Sequence, residues 1–309
     1  MGIGVVVNPR ASGNRGRRDT AARLAAVVGG DGEVVETENL EALGTALHRF
    51  HDRGFEIVAI SGGDGSMCHA ISQAVGVWGE DNLPALVALR GGTINNVART
   101  VGGPARPEAF LSGVLSAYRS RRPLRTMERP LLRVNGSTYG SIVGAGLITH
   151  FLEHYYGGPN PGPASAAGLL LRCGISWLSG GELIRRIVPT IAATADCDGD
   201  ALPFSEYTLI LASSVSHIGL GVKPFYLSGR KRGFFHVLAG PPSAGALLGR
   251  LARFRRGFPA ELDTLYDNMA RRFRIEFAEP QSFTVDGELF PAVQDLTIEA
   301  GPAVRFVRG

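Results

Sequence analysis

Residues 57–66 read IVAISGGDGS, and residues 85–95 read ALVALRGGTIN. In each stretch an apolar run, typical of a buried strand, leads into adjacent glycines and small polar residues. Glycine after a buried strand permits positive φ and lets backbone amides approach a phosphate, and a following helix adds its positive end. Two such loops on neighbouring strands indicate a site for a nucleotide triphosphate.

Short β-branched runs alternate with longer helical stretches through about residue 128. The pattern predicts strands at 4–7, 33–35, 56–60 and 85–89, and helices at 20–28, 40–53 and 67–77. This order is the signature of β-α-β units, which build a parallel sheet with ligand loops at the carboxyl ends of its strands. We predict an α/β N-terminal domain over residues 1–128.

The remainder, residues 129–309, consists mainly of shorter alternating runs, which predict antiparallel strands. Two stretches within it, 164–187 and 244–256, have helical spacing. We therefore predict a β-rich C-terminal domain, joined to the first near Arg121-Arg122-Pro123. The closing run, 296–307, either completes the second domain or returns to the first.

Length and composition exclude several classes of protein. The chain has 309 residues and 44% hydrophobic content, enough for a sizeable core, and no apolar run reaches the roughly 20 residues that cross a bilayer. Its three cysteines lack metal-type spacing and favour a reducing, cytoplasmic environment. The net charge of +4 favours anionic partners: nucleotides, nucleic acid or acidic lipid headgroups.

Another loop of this kind follows the first predicted strand and contains Asn8-Pro9 and Ser12-Gly13. These residue types are common in ordinary tight turns, so this loop alone identifies nothing. Three loops at the ends of neighbouring strands, however, indicate one shared ligand.

With four motifs in the same order along the chain, the sequence resembles the diacylglycerol kinase catalytic family. This family includes bacterial diacylglycerol kinases, sphingosine kinases and ceramide kinases. Asn8-Pro9 with Ser12-Gly13 is similar to the family's first nucleotide loop, and residues 62–66 are similar to its glycine-aspartate loop. Residues 92–95 are similar to its third loop, and Asp286-Gly287-Glu288 to its late catalytic motif. The glycine-aspartate loop is also shared with NAD kinases and phosphofructokinases.

The resemblance implies an ATP-binding α/β domain of the NAD kinase and diacylglycerol kinase type, a β-sandwich second domain, and a lipid that enters between them. ATP and Mg²⁺ are the implied cofactors, and no metal ligand is assigned. The implied nucleotide-binding residues are Asn8, Ser12, Gly13, Gly62, Gly63, Asp64, Gly65, Ser66, Gly92, Thr93 and Asn95.

Asp286 is the candidate catalytic base. Phosphoryl transfer is mostly positioning and charge stabilisation, and a carboxylate is needed to accept the hydroxyl proton of the lipid. Glu288 is expected to support Asp286 or the metal. The residues alone also allow an ordinary hairpin turn, which an Asp-Gly pair favours.

Two positions depart from the family pattern. Many members carry an aspartate in a Gly-x-Gly-x-Asp segment of the second domain, where this chain has Ile148 after Gly144-Ala145-Gly146-Leu147. The family's Asp-Gly turn near a structural metal corresponds here to Arg232-Gly233. Headgroup recognition and that metal site are therefore expected to differ.

Two short motifs resemble metal-binding sequences, but we expect both to have structural roles. Residues 150–154 match the zinc signature H-x-x-E-H, although no third ligand is identifiable. Residues 196–200 begin like a calcium loop, but Ala201 replaces the required glycine, so a hairpin turn is expected.

The helical stretch 244–256 has an apolar stripe of Leu247, Leu248, Leu251 and Phe254, flanked by arginines. This pattern is compatible with an interfacial helix and, alternatively, with packing in the core.

These observations predict an ATP- and Mg²⁺-dependent lipid kinase that phosphorylates a primary hydroxyl of diacylglycerol, a sphingoid base or ceramide. We expect a cytoplasmic protein that meets its lipid at the membrane surface, with no nucleic-acid partner and no inferable protein partner. The alternatives are a soluble NAD or nucleotide kinase and a non-catalytic nucleotide- or lipid-binding protein of the same fold.

Overall fold

The computed structural model describes residues 2–15, 17, 19–92, 95–157, 168, 172, 188–218 and 222–309. The chain divides into two compact units, Met1–Leu131 with Pro302–Gly309, and Leu132–Gly301. Most of the predicted helix at 164–187 lies outside the described residues. None of the helices in the described parts is long and apolar enough to span a membrane.

The first unit alternates strands with helices. Its strands are β1 (Ile3–Val7), β2 (Gly32–Glu36), β3 (Ile57–Gly62) and β4 (Ala85–Arg90). They form a parallel sheet in the order β2-β1-β3-β4, and Phe306 near the chain end pairs in parallel with Leu86 of β4. The helices are α1 (Ser12–Arg15), α2 (Thr20–Val28), α3 (Leu40–Asp52), α4 (Asp64–Trp78), α5 (Asn96–Thr100) and α6 (Pro107–Arg119). The predicted α/β architecture is confirmed.

Helices cover both faces of this sheet. On one face, Ile3, Val5 and Val7 of β1 pack in a core cluster with residues of α2 and α6. On the other face lies α3, and a Cβ at Gly4 would overlap the ring of Phe50. Strands covered on both faces read as continuous apolar runs, which explains the sequence of residues 57–60.

The second unit is β-rich, as predicted. Its strands are β5 (Thr126–Val134), β6 (Thr138–Gly140), β7 (Ile142–Gly146), β8 (Ile191–Cys197), β9 (Asp200–Ala201), β10 (Glu206–Tyr207), β11 (Leu209–Ser213), β12 (Phe235–Gly240), β13 (Tyr266–Ala270), β14 (Arg272–Val285) and β15 (Glu288–Val307). Antiparallel pairing gives the order β13-β12-β11-β7-β14-β15, and β8 lies beside the first half of β14. β5 begins, and β15 ends, in residues of the first unit.

Helices of the second unit include α7 (Leu147–Tyr156), α8 (Ala244–Gly249) and α9 (Leu251–Arg256). The single helix predicted at 244–256 is thus divided in two at Arg250. The backbone of Arg250, with φ −98° and ψ 0°, departs from regular α-helical angles.

Candidate active site

The first loop, residues 8–13 after β1, and the second loop, residues 62–66 after β3, are joined directly. The backbone N–H of Asn8, after β1, donates to the carbonyl of Ser61 at 2.9 Å, and the Asn8 Nδ2 donates to Ser66 Oγ at 2.8 Å. Since β1 and β3 are neighbouring parallel strands, their carboxyl ends meet at one edge of the sheet. The side chain of Asn8 therefore links the first loop to the first turn of α4, where Gly65 and Ser66 lie.

A buried asparagine that the sequence analysis did not single out lies beneath this junction. Asn14 is 6% exposed, and its Nδ2 donates to the carbonyls of Asn8 at 2.9 Å and Ser61 at 3.0 Å. The Ser61 hydroxyl donates in turn to Asn14 Oδ1 at 3.3 Å. The only signal in the sequence was an asparagine directly after Ser12-Gly13, whereas Ser12 itself begins α1 at the surface.

The third loop, residues 91–95 after β4, is joined to the other two by backbone hydrogen bonds. The N–H of Gly13 donates to the carbonyl of Gly91 at 2.9 Å, and the N–H of Gly91 donates to the carbonyl of Gly62 at 3.1 Å. All three loops thus form one hydrogen-bonded group at the carboxyl ends of β1, β3 and β4.

Close approach explains the glycines of the second and third loops. A Cβ at Gly92 would overlap the Cα of Gly63, and a Cβ at Gly91 would lie 2.7 Å from the Gly62 nitrogen. Gly62, Gly63, Gly91 and Gly92 do not have positive φ; Gly63, for example, has φ −86°. The expectation that these loops use glycine for left-handed backbone is therefore wrong at these positions, where steric space is the requirement.

The carboxylate of Asp64 connects the starts of two helices. Asp64 is the first residue of the 15-residue helix α4, and its Oδ1 accepts from the N–H of Val97 in α5 at 3.3 Å. Burial raises the pKa of Asp64, and hydrogen bonds from the backbone of Val97, Asn96 and Asn95 oppose that shift. The N-cap of α4 is Gly63, which has no side chain to cap the helix, so the positive end of the helix faces the loops.

Asn95 holds the third loop in an unusual backbone conformation. Its φ is 56°, and its side chain accepts from the N–H of Gly92 at 3.0 Å and donates to the carbonyl of Gly92 at 2.6 Å. A non-glycine residue with positive φ is strained unless its surroundings fix it, as these two bonds do. Thr93 lies outside the described residues, so its role stays a prediction.

Positive charge accumulates beside the third loop. Arg90, the last residue of β4, directly precedes Gly91, and its Nε is buried without a hydrogen-bond partner among the described residues. Burial, followed by the charge of Arg99, lowers the pKa of Arg90. Two guanidinium groups thus act on one another near the loops, which favours an anion there.

In the second unit, Asp286 occupies a tight hairpin turn. Asp286 and Gly287 have φ of 49° and 92° and join the paired residues Val285 and Glu288. The Asp286 carboxylate accepts from the N–H of Ser141 at 3.0 Å and from that of Ile142 at 2.8 Å. The hairpin interpretation of the backbone is correct, and the carboxylate also fixes the entry to β7.

The remaining motifs take structural positions. Ile148 packs against the apolar cluster that contains Leu209 and Leu211, and Arg232 is exposed. On α7, the Nδ1 of His150 lies 2.9 Å from the Gly146 carbonyl, and the Nδ1 of His154 lies 3.2 Å from the His150 carbonyl. A search of the described residues finds no cluster of three or more metal-ligating side chains.

Comparisons with known proteins agree with this geometry. Residues 2–125 match the family described as the diacylglycerol kinase catalytic domain. No match was found among curated proteins.

Three solved chains from Bacillus anthracis str. Sterne are similar to this chain in structure. One is described as a diacylglycerol kinase, with 15% identity and a TM-score of 0.67. Two are named provisionally as diacylglycerol kinases, with 16% and 14% identity and TM-scores of 0.71 and 0.72. Each comparison covers 100% of this chain and 97% of the other chain. At 14–16% identity, this similarity shows that the fold is shared. Residues 2–125 thus match the diacylglycerol kinase catalytic domain family, and the whole chain shares the fold of solved chains named as diacylglycerol kinases.

Proposed function

We propose that this protein is an ATP- and Mg²⁺-dependent lipid kinase that transfers the γ-phosphate to a primary hydroxyl of diacylglycerol, a sphingoid base or ceramide. The observation that carries the proposal is the hydrogen-bonded group of three loops at one edge of the sheet, in a domain that matches a lipid kinase family.

The phosphates would lie against these loops. Backbone amides and the uncapped N-terminus of α4 supply partial positive charge, and Arg90 and Arg99 supply full charges nearby. At Gly63, where a Cβ would meet no described atom closer than 3.5 Å, the absence of a side chain lets a phosphate approach the backbone closely. Preorganised donors of this kind stabilise the charge that moves during phosphoryl transfer.

Asp286 would accept the proton of the lipid hydroxyl. A carboxylate offers about four acceptor sites, so it can hold two backbone amides and still accept a hydroxyl. The hydroxyl oxygen bonds to the γ-phosphorus as the bond to the bridging oxygen breaks, ADP leaves, and the proton passes to Asp286. Mg²⁺, when bound, neutralises phosphate charge, and Glu288 would support Asp286 or the metal.

Two alternatives each have one observation in their favour. The loop at residues 62–66, which resembles that of NAD kinases, favours a soluble NAD or nucleotide kinase. The apolar Ile148, where family members carry a headgroup aspartate, favours a non-catalytic nucleotide- or lipid-binding protein.

Labelled ATP and a panel of acceptors test the proposal. The full chain is incubated with γ-³²P-ATP and Mg²⁺, and with diacylglycerol, a sphingoid base or ceramide in mixed micelles, NAD in solution, or no acceptor. We expect label in one lipid product. Label in NAD identifies the soluble kinase, and nucleotide binding without any labelled product identifies the non-catalytic protein; either result rejects the lipid kinase.

A further inference from the structure

Exposed apolar side chains gather on one segment of the second unit. Among the described residues, five large apolar side chains are exposed, and three of them are Leu248, Leu251 and Phe258, at 37%, 40% and 52%. Single exposed apolar residues are normal, whereas a group of them marks an interaction surface.

The helices α8 and α9 present apolar residues on two sides. On one side, Leu247 and Phe254 pack against the core cluster that contains Phe225 and Leu238. On the other, Leu248 of α8 is exposed, as are Leu251 and Arg255 at positions i and i+4 of α9. The core cluster includes Leu247 and Phe254 but not Leu248 and Leu251.

The backbone fixes the exposed position of Phe258. The N–H of Gly257 donates to the carbonyl of Phe254 at 3.2 Å, and the N–H of Phe258 donates to the carbonyl of Arg253 at 3.1 Å. With Gly257 at φ 74°, these bonds form the Schellman motif that ends a helix. The apolar contact that usually accompanies this motif would fall at Arg253, so the ring of Phe258 remains in solvent.

The charges within the segment that carries these side chains are all positive. Residues 244–258 contain four arginines and no acidic residue. Arg253 donates to the carbonyl of Pro259 and pairs with Glu261. Arg255 and Arg256 are exposed, and within the described residues their side chains make no hydrogen bond or ion pair.

We propose that Leu248, Leu251 and Phe258, with Arg255 and Arg256, form a docking surface for an anionic lipid bilayer. Apolar side chains enter the boundary between headgroups and acyl chains while arginines meet the anionic headgroups. In a symmetric dimer the patch would face its own copy and bring like charges together, which argues against a second chain. Only the role of this surface, which is to bring the kinase to a lipid acceptor in the membrane, rests on the proposed function.

Vesicle flotation tests the surface without ATP or acceptor. The full chain is mixed with phosphatidylcholine vesicles, with or without phosphatidylglycerol. We expect binding to the anionic vesicles that weakens with salt. The variant Leu251→Gln/Phe258→Ser should lower the partition coefficient tenfold or more, since the two half-exposed side chains together bury about the apolar area of one whole side chain, which contributes about that factor. Arg255→Gln/Arg256→Gln should lower it about thirtyfold, because each surface arginine contributes roughly a factor of five.

Matched controls are available in the first unit. Leu40→Gln changes a leucine that is more exposed than Leu251, at 51% against 40%, and Arg106→Gln/Arg125→Gln removes the same charge from other exposed arginines. Both should bind as the wild type does. A melting temperature for each variant establishes that the fold is intact.

Three results would overturn the proposal: no binding of the wild type to anionic vesicles, unchanged binding of both patch variants, or a wild-type dimer in solution that Leu251→Gln/Phe258→Ser converts to monomer. A failure of the proposed function looks different, because vesicle binding would then persist while no lipid acceptor is phosphorylated.

Discussion

Asp286 and Asp198 occupy equivalent positions in two hairpins of the second unit. Each precedes a glycine, and each has positive φ, 49° and 56°. The N–H of Asp286 donates to the Ile142 carbonyl at 2.8 Å, and that of Asp198 to the Arg272 carbonyl at 2.9 Å. Each carboxylate accepts from two consecutive backbone amides at a strand entry: Ser141 and Ile142 for Asp286, Arg271 and Arg272 for Asp198.

Asn135 repeats part of this arrangement. It precedes Gly136 with φ 46°, its N–H donates to the Thr297 carbonyl at 2.9 Å, and its Oδ1 accepts from the Thr297 N–H at 2.8 Å. The backbone contacts of Asp286 are therefore a recurring structural device of this unit, and only its chemistry can distinguish it from the others.

This equivalence provides a matched test of the catalytic base. Asp286→Asn and Asp198→Asn should each lower the free energy of unfolding by about 1–2 kcal/mol, because a neutral oxygen replaces a charged acceptor. Only Asp286→Asn should also lower kcat, by about 10²- to 10⁴-fold. Denaturant unfolding and steady-state kinetics measure the two effects. Equal kinetic losses in both variants, or normal turnover of Asp286→Asn, would contradict the assignment.

Gly63→Val should weaken binding of Mg-ATP, by tenfold or more if the side chain blocks one phosphate contact, which is worth about 1.5–3 kcal/mol. Among the described residues, a Cβ at Gly63 would meet only the Gly92 Cα, at 3.5 Å, so this part of the fold should tolerate it. Gly76→Val is the control, because Gly76 is exposed on the same helix and a Cβ there meets nothing within 4 Å. Calorimetric titration decides: equal affinities for the two variants would remove Gly63 from the phosphate site.

Asn14→Asp should destabilise the protein by about 2–3 kcal/mol, because a carboxylate cannot donate to the carbonyls of Asn8 and Ser61. Asn39→Asp is the control. Asn39 caps α3 by accepting from the Ala42 N–H at 2.8 Å, a function that aspartate performs equally well. Thermal unfolding should show a loss for the first variant alone, and similar melting temperatures would show that the Asn14 amide does not hold the loops.

Asp64 should make stability depend on pH. Its pKa in the folded state is raised above the usual 3.8, so the folded protein binds this proton more tightly than the unfolded chain does. The stabilisation is complete below pH 3.8 and is lost as the pH rises through the folded pKa. Asp64→Asn, which can still accept from the Val97 N–H, should remove this dependence and be more stable at pH 7.

Urea unfolding from pH 4 to 8 compares Asp64→Asn with the wild type and with Asp52→Asn, a change at an exposed position. The free energy of unfolding should depend less on pH in Asp64→Asn than in Asp52→Asn, and Asp52→Asn should follow the wild type. Parallel curves for all three proteins would show that the ionisation of Asp64 does not oppose folding.

Local sequence was sufficient for much of the first unit. Apolar runs bounded by glycine, such as residues 57–62, predict buried strands, and Thr20–Val28 follows helical periodicity. The helix α6 was not predicted, although Pro107 at its start and apolar residues at helical spacing were signals for it. The five-residue α5 is too short for periodicity to reveal.

The sequence by itself determined the α/β order and the positions of the three loops, because these depend on residue types within a few positions of each other. Only the tertiary structure decided that Asn14 joins two loops, that Gly92 is needed for close approach, and that Leu251 and Phe258 remain exposed. These properties depend on neighbours distant in the chain. Periodicity gives the face of a helix on which a side chain lies, but what covers that face is set by the packing of the whole unit.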